Sequence, residues 1–166
     1  WLTQGMQMIS MLHDTMVITI MTMVFAAILI AKRYWYWLLN LTLAVPCGML
    51  VNVLMKQAFQ RTRPVFDHPL VNLTSYSFPS GHTVASTLFY RILAALIISK
   101  TASWSRRVWT VLLAFAIVSL VTFSRLYLGA HYLSDVLAAL TEGLAWLALC
   151  LTGTHTYWEQ KQRSAS

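Results

Sequence analysis

Apolar residues fall in long blocks along this chain, and the blocks lack the polar face of an amphipathic helix. Crossing a bilayer core about 30 Å thick takes about 20 residues of helix. Each block is long enough, or nearly so, once flanking residues complete its helical turns. A soluble Leu-rich bundle would need polar faces that are absent here. The pattern predicts an all-α, integral-membrane bundle of about five spans: Met16–Ala31, Trp35–Met55, Thr83–Ser99, Val108–Phe123 and Tyr132–Thr152.

The remaining segments complete a single domain over residues 1–166. Residues 1–14 are expected to form a short interfacial segment, and the polar residues 153–166 a cytoplasmic tail that frays. Pro46 and Gly48 predict a kink in the second span. Asn40 and Asn52 of that span are expected to bond to neighbouring helices. The first residue is Trp, so a further helix upstream is expected.

Composition supports the membrane assignment, and the placement of charge predicts its orientation. The chain is 58% hydrophobic and only 10% charged, against about 25% charged in soluble domains. Its net charge of +7 reflects topology, and nucleic-acid binding is not expected. The cations of the two inner loops and the tail fall on one side of the bundle, which the positive-inside rule makes cytoplasmic: Lys32, Arg33, Lys100, Arg106, Arg107, Lys161 and Arg163. The two cysteines, Cys47 and Cys150, lie within apolar blocks and predict packing without a disulfide.

Three polar clusters gather on the opposite side, where four cations still need an explanation. The first cluster is Lys56 with Arg63-Pro64, the second is Phe78-Pro79-Ser80-Gly81-His82, and the third is Ser124-Arg125 with His131 and Asp135. Three cations from different segments suit a phosphate dianion, which is costly to desolvate unpaired. Ser80 is a suitable helix N-cap, and Gly81 allows a ligand to approach the backbone and the positive end of the helix dipole. His131 and Asp135 share a helix face.

Together these clusters resemble the tripartite signature of the type 2 phosphatidic-acid phosphatase superfamily, which extends here over about residues 56–135. The resemblance implies that His131 attacks phosphorus to form a phosphohistidine, while Asp135 orients its ring and His82 protonates the leaving oxygen. It further implies that Lys56, Arg63, Ser80, Gly81 and Arg125 bind the phosphate, and that no metal and no cofactor takes part. The substrate would be a lipid phosphate or diphosphate reached from the bilayer, such as undecaprenyl diphosphate, phosphatidylglycerol phosphate, phosphatidic acid or a lipid A phosphate. No obligate protein partner is implied.

Two other functions remain open on the same residues. A lipid phosphotransferase would use the same phosphohistidine, and a non-enzymatic transporter or scaffold could keep the fold. The intact set of catalytic residue types argues against the second. The related haloperoxidases are soluble, which this chain is not expected to be.

Charged and histidine residues outside the signature receive simpler interpretations. Arg61 is expected to extend towards the membrane surface, and His13, His68 and His155 to be interfacial or loop residues. Arg91 and Glu142 lie at similar depths within two spans and on the helix faces that carry Ser80 and Asp135, so an ion pair beneath the site is predicted. The alternative is that each finds a separate partner, such as Asn52.

The predicted inner-membrane topology, with the site facing the periplasm or the cell exterior, can be tested by labelling. A cysteine replacing Thr74 should react with an impermeant thiol reagent in intact cells, and one replacing Ser103 should not. The expectation rests on seven of the twelve Lys and Arg residues lying on the other side. The reverse labelling pattern would invert the topology.

Overall fold

The fold is a bundle of long helices. The structure is a computed structural model and describes residues 1–67, 69–71 and 73–164. The helices are α1 (Leu2–Leu12), α2 (Thr15–Ala31), α3 (Trp35–Thr42), α4 (Gly48–Phe59), α5 (Gly81–Lys100), α6 (Trp104–Tyr127) and α7 (Leu133–Arg163), with a π-helical segment, Leu43–Cys47, between α3 and α4. His68 and the last two tail positions, 165 and 166, lie outside the described residues, and so do the predictions made for them.

Length and apolar composition allow four spans in the described part of the chain, and a fifth if the bent pair α1–α2 counts as one. The four are Trp35–Phe59, Gly81–Lys100, Trp104–Tyr127 and Leu133–Arg163, while α1 and α2 meet at 46°. Flanking residues lengthen the third and fourth blocks into α5 and α6 as expected, whereas the first block gains only Thr15 and counts as a span only together with α1. The prediction of an all-helical membrane bundle with about five spans is therefore confirmed.

The bundle is organised around α5, which packs against α2, α4, α6 and α7. One face of α5 buries apolar side chains such as Val84, Leu88 and Ile92 against the neighbouring helices. At the C-terminal end of α5, the Lys100 Nζ lies 4.5 Å from the centre of the Tyr34 ring. The α2–α3 and α5–α6 turns therefore lie together, at the end of α5 opposite His82.

At the position where Pro46 and Gly48 predict a kink, the helix contains a π-helical turn, Leu43–Cys47. Proline cannot donate the usual helical hydrogen bond, and a local π turn is one way a helix accommodates it. The carbonyl of Leu43 accepts a hydrogen bond from the Trp146 indole, 3.0 Å away on α7. Trp146 can approach this closely because Gly48 beneath it has no side chain.

Polar residues within the spans bond across the bundle, as expected for Asn40 and Asn52. The Thr154 hydroxyl donates to Asn40 Oδ1 at 2.7 Å, and Asn52 donates to Glu142 Oε2 at 3.2 Å. Thr154 is buried, and α7 continues as helix through Arg163. The expectation that the chain frays from Gly153 onwards is therefore wrong.

The predicted ion pair between Arg91 and Glu142 is also wrong. Glu142 takes its hydrogen bond from Asn52 of α4, which corresponds to the alternative of separate partners. Arg91 lines a cavity of about 260 Å³ together with alanines of α5 and α6. The prediction placed each residue on the helix face that carries site residues, because Arg91 follows Ser80 by eleven residues and Glu142 follows Asp135 by seven. In the folded bundle Arg91 lies instead against α6, near Ala114.

Gly48 offers a test of this packing. A Cβ at position 48 would lie 2.5 Å from Leu88 Cδ1 and 2.8 Å from Trp146 Cδ1, so Gly48→Ala should lower the free energy of unfolding by about 1–3 kcal/mol. Gly153→Ala is the matched control, because a Cβ there meets nothing within 4 Å. It should be neutral or stabilising by up to about 1 kcal/mol. Unfolding in detergent measures both variants, and equal effects would contradict the close packing at Gly48.

Candidate active site

Three segments converge at the end of the bundle opposite the Lys100–Tyr34 contact: the α4–α5 loop, the N-terminus of α5 and the α6–α7 loop. Gln60 adopts a left-handed conformation (φ 47°) and ends α4, and Gly129 (φ 66°) makes the turn after α6. The Ser77 amide donates to the Arg61 carbonyl at 2.8 Å, and the Ser80 amide donates to the Asp135 carbonyl at 3.2 Å. These backbone bonds join the three predicted clusters into one site.

His131 lies at the centre of this site and is 4% exposed. Its Nε2 is 3.3 Å from an Arg63 Nη1, and its Nδ1 is 3.5 Å from Asp135 Oδ2. Burial lowers the pKa of His131 to about 2, and the positive charges of Arg63, Arg125 and Lys56 act in the same direction. The imidazole is therefore neutral at physiological pH, with Nε2 directed towards Arg63.

Asp135 is fully buried and has partners from several segments. Arg61 Nη1 donates to Oδ1 at 2.8 Å, and the Tyr132 amide donates to Oδ2 at 2.9 Å. The Ser77 hydroxyl also donates to Oδ2, in a very short hydrogen bond. This network fixes the carboxylate beside the His131 ring, the arrangement expected of a group that orients an imidazole.

Arg63 and Lys56 are held in place by backbone carbonyls of the α4–α5 loop. Arg63 donates from Nε to the Ser75 carbonyl at 2.7 Å and from Nη1 to the Ala130 carbonyl at 2.7 Å. Lys56 donates to the Tyr76 carbonyl at 2.8 Å. Neutral carbonyls orient both cations without neutralising them, so both keep charge available for an anion.

Arg125 is 2% exposed, and its Nη1 donates to the Ser10 hydroxyl of α1. Its Nε and Nη2 have no hydrogen-bonding partner among the described residues. A buried guanidinium without a carboxylate partner is costly. It lies close enough to His131 to depress the histidine pKa. The N–H groups on Arg125 Nε and Nη2 are therefore available to donate hydrogen bonds to an anion bound near His131.

Ser80, Gly81 and His82 begin α5, as predicted. Ser80 is the N-cap, although its side chain makes no capping bond and its Oγ instead accepts from the Thr83 hydroxyl at 3.1 Å. A Cβ on Gly81 would lie 3.8 Å from Lys56 Cε, so the first turn of α5 borders the cation of the first cluster. The structure thus brings all eight predicted site residues to one end of the bundle.

Four further residues contact this site and were not assigned to it from the sequence: Ser10, Asp14, Arg61 and Ser77. Arg61, expected to extend towards the membrane surface, instead bonds to Asp135 and lies 4.2 Å from the centre of the Tyr132 ring. Asp14 Oδ2 lies 3.4 Å from His82 Nε2. The sequence could have drawn attention to Asp14, because it is the only acidic residue before position 67. Nothing in the sequence alone distinguishes Ser10 or Ser77.

Metal-binding side chains do not cluster in the described part of the chain. No three His, Cys, Asp or Glu residues among residues 1–67, 69–71 and 73–164 are grouped so as to hold a metal ion. The charged groups at the site are chiefly cations, together with Asp135 and Asp14.

Comparison with known proteins agrees with this geometry. The sequence profile of the PAP2 superfamily matches residues 34–159. Phosphatidylglycerophosphatase B of Bacillus subtilis (strain 168) is 32% identical over 146 residues, covering 87% of this chain and 71% of that protein. Lipid A 4'-phosphatase of Porphyromonas gingivalis is 26% identical over 107 residues, covering 59% of this chain and 42% of that protein.

A solved structure extends the likeness to the fold. The crystal structure of a transmembrane PAP2 type phosphatidylglycerolphosphate phosphatase from Bacillus subtilis superposes with a TM-score of 0.83 at 29% identity, covering 94% of this chain and 78% of that one. The fold and these relatives define a multi-pass membrane enzyme of the lipid phosphatase class. The chain belongs to the PAP2 superfamily.

The low pKa of His131 has a consequence for stability that can be measured. An unfolded histidine has a pKa of about 6.5, so below that pH unfolding takes up a proton that the folded state does not bind. Stability contributed by neutral His131 is therefore lost as pH falls, by about 1.4 kcal/mol per pH unit. Between pH 6.5 and pH 5, wild type should lose about 2 kcal/mol more than His131→Gln, measured by unfolding in phosphate-free detergent.

His155→Gln is the control for that experiment, because His155 is exposed near the far end of α7, beside Glu159. It should keep the wild-type pH dependence. Identical slopes for wild type and His131→Gln would contradict the low pKa of His131.

Proposed function

We propose that this protein removes phosphate from a lipid phosphate or diphosphate through a phosphohistidine on His131, at the non-cytoplasmic face of the membrane. The observation that carries the proposal is the buried Arg125 guanidinium, two of whose nitrogens have no partner among the described residues and whose charge acts on a neutral, buried histidine. A phosphate dianion would supply the missing partner of Arg125 and present phosphorus to His131 Nε2.

Charge compensation favours a phosphate group as the ligand. Lys56, Arg63 and Arg125 all influence His131 electrostatically, and two of them are oriented by neutral carbonyls. Binding a dianion there exchanges repulsion among the cations for charge-assisted hydrogen bonds. The first-turn amides of α5 add donors at the positive end of a helix. These cations do the work that a metal ion would do, so the proposed reaction is metal-independent.

In the first chemical step, the His131 Nε2 lone pair forms a bond to phosphorus while the bond from phosphorus to the lipid oxygen breaks. His82 donates a proton to that oxygen, which leaves as the lipid alcohol, or as the lipid monophosphate when the substrate is a diphosphate. Asp135 stabilises the positive charge that develops on the His131 ring, as the carboxylate of a nucleophile pair does. In the second step, water forms a bond to phosphorus and gives a proton to His82 while the bond from phosphorus to His131 Nε2 breaks, which releases inorganic phosphate and restores the neutral imidazole.

The surroundings of the site and the names of the relatives both support a lipid as the substrate. The α4–α5 loop exposes Val65 and Phe66, and Phe59 at the end of α4 is exposed as well. An apolar rim suits a substrate that keeps its chains in the bilayer. Two relatives are named for phosphatidylglycerophosphate and lipid A, so phosphatidylglycerophosphate, phosphatidic acid, lipid A phosphates and undecaprenyl diphosphate form the panel to test.

Replacing His131 by Ala should reduce phosphate release from the best lipid of that panel by several orders of magnitude, because the covalent route is lost. Purified protein in detergent or nanodiscs, assayed with excess chelator, measures the effect. His155→Ala is the matched control and should keep full activity. Near-normal turnover of the His131 variant, or loss of wild-type activity in chelator with recovery on adding magnesium, would contradict the mechanism.

The same assay separates hydrolysis from transfer. With an acceptor lipid present, hydrolysis yields inorganic phosphate in an amount equal to the substrate consumed. A shortfall matched by newly phosphorylated acceptor would indicate a phosphotransferase.

A further inference from the structure

Asp14 makes a contact that the proposed mechanism does not use. Its Oδ2 lies 3.4 Å from Nε2 of His82, and its Oδ1 accepts a hydrogen bond from the Met16 amide at 3.0 Å. This hydrogen bond caps the N-terminus of α2. It fixes one oxygen of the Asp14 carboxylate and leaves the other oxygen directed at His82. His82 itself is largely buried.

The helix that precedes Asp14 is attached to the site at several points. Ser10 of α1 accepts a hydrogen bond from Arg125, and His13 bonds to the Tyr90 hydroxyl of α5 at 2.9 Å. Further along α1, Gln7 donates to the Leu70 carbonyl at 3.3 Å, and Thr3 bonds to the Tyr127 hydroxyl at 3.1 Å. These bonds hold α1 against α5, α6 and the α4–α5 loop, so the position of Asp14 beside His82 is set by the fold.

We propose that Asp14 is a positioning residue for His82: its carboxylate holds the ring through Nε2–H and supports the protonated imidazole that delivers a proton to the leaving oxygen. The inference rests on the proposed phosphatase function. With Nε2–H directed at Asp14, the proton that leaves is the one on Nδ1. After the transfer, the neutral ring keeps Nε2–H and has its Nδ1 lone pair free to accept the proton of the attacking water.

The site then contains two histidine–carboxylate pairs with opposite tasks. Asp135 is fully buried and bound by three donors besides its histidine, so it orients a neutral nucleophile. The Asp14 side chain is 51% exposed and has one other hydrogen-bond partner among the described residues, the Met16 amide, so it can respond as His82 gains and loses its proton. Because asparagine also serves as a helix N-cap, Asp14→Asn should leave the fold intact, whereas replacing Asp135 would disturb the buried network.

The test exploits the fact that a general acid matters only when the leaving oxygen needs a proton. Two phosphate monoesters with the same apolar tail serve as probes, one an alkyl phosphate and the other a nitrophenyl phosphate whose leaving group is stable as an anion. General acid catalysis is worth about 10²–10⁴-fold in total. Asp14→Asn should lower kcat/KM for the alkyl ester by at least about 10-fold and for the nitrophenyl ester by less than about 3-fold.

We compare kcat/KM because this parameter reports only the steps up to and including the first irreversible one. The later hydrolysis of the phosphohistidine therefore does not affect it. His82→Asn should show the same selectivity for the alkyl ester, with a larger loss, and Asp14→Glu should recover part of the Asp14→Asn loss. Glu159→Gln is the matched control, since Glu159 lies 3.6 Å from another histidine, His155, and outside the proposed site. It should leave both esters at wild-type rates.

The outcomes separate this inference from the function on which it rests. Equal loss on both esters would show that Asp14 acts only on the fold or on phosphate binding, and no loss on either would show that His82 works without it. Both results overturn the role of Asp14 while leaving the phosphatase intact. Failure of wild type to release phosphate from either ester and from the lipid panel would overturn the proposed function, and this inference with it.

Discussion

The buried carboxylate of Asp135 is the constraint on which the end of the bundle that carries the site depends. A fully buried charge is tolerated only when its partners are complete, and here they come from separate parts of the chain. Arg61 and Ser77 belong to the α4–α5 loop, while the Tyr132 amide and His131 belong to the α6–α7 loop. Satisfying one carboxylate therefore fixes two loops relative to each other. The cations Lys56 and Arg63, bonded to the same loops, take their positions from that arrangement.

Much of the architecture can be predicted from the sequence, because the thickness of the bilayer sets the length of each span and apolar composition marks where it lies. The spans and the three clusters were predictable, as was the disruption at Pro46, because each depends on local residue chemistry. The helix N-cap at Ser80 was predictable for the same reason. Its side chain nevertheless turns to Thr83 instead of the backbone, a choice set by tertiary packing.

The failures have a common physical origin in contacts between distant segments. Arg61 follows a helix end and has the sequence context of a surface cation, yet loop geometry directs it to Asp135. Arg91 and Glu142 lie at matching depths, but rotation of the helices about their axes sends Glu142 towards Asn52 and Arg91 towards α6. The last turns of α7 look like a polar tail, but Thr154 pairs with Asn40 and extends the packed helix. The depth and the face of a residue on its own helix can be counted along a chain, whereas the neighbour that this face meets and the path of a loop require the folded structure.

The short turns at the end of the bundle opposite the site limit how substrate can arrive. Only residues 32–34 separate α2 from α3, and only residues 101–103 separate α5 from α6, so these helix pairs are hairpins that cannot part at that end. A lipid approaching the site would instead diffuse sideways to the exposed rim at Phe59, Val65 and Phe66. Encounter then becomes a search in two dimensions. For such an enzyme the meaningful substrate concentration is the mole fraction of phosphorylated lipid in the leaflet, so diluting the membrane with neutral lipid slows turnover while diluting the vesicles in buffer does not.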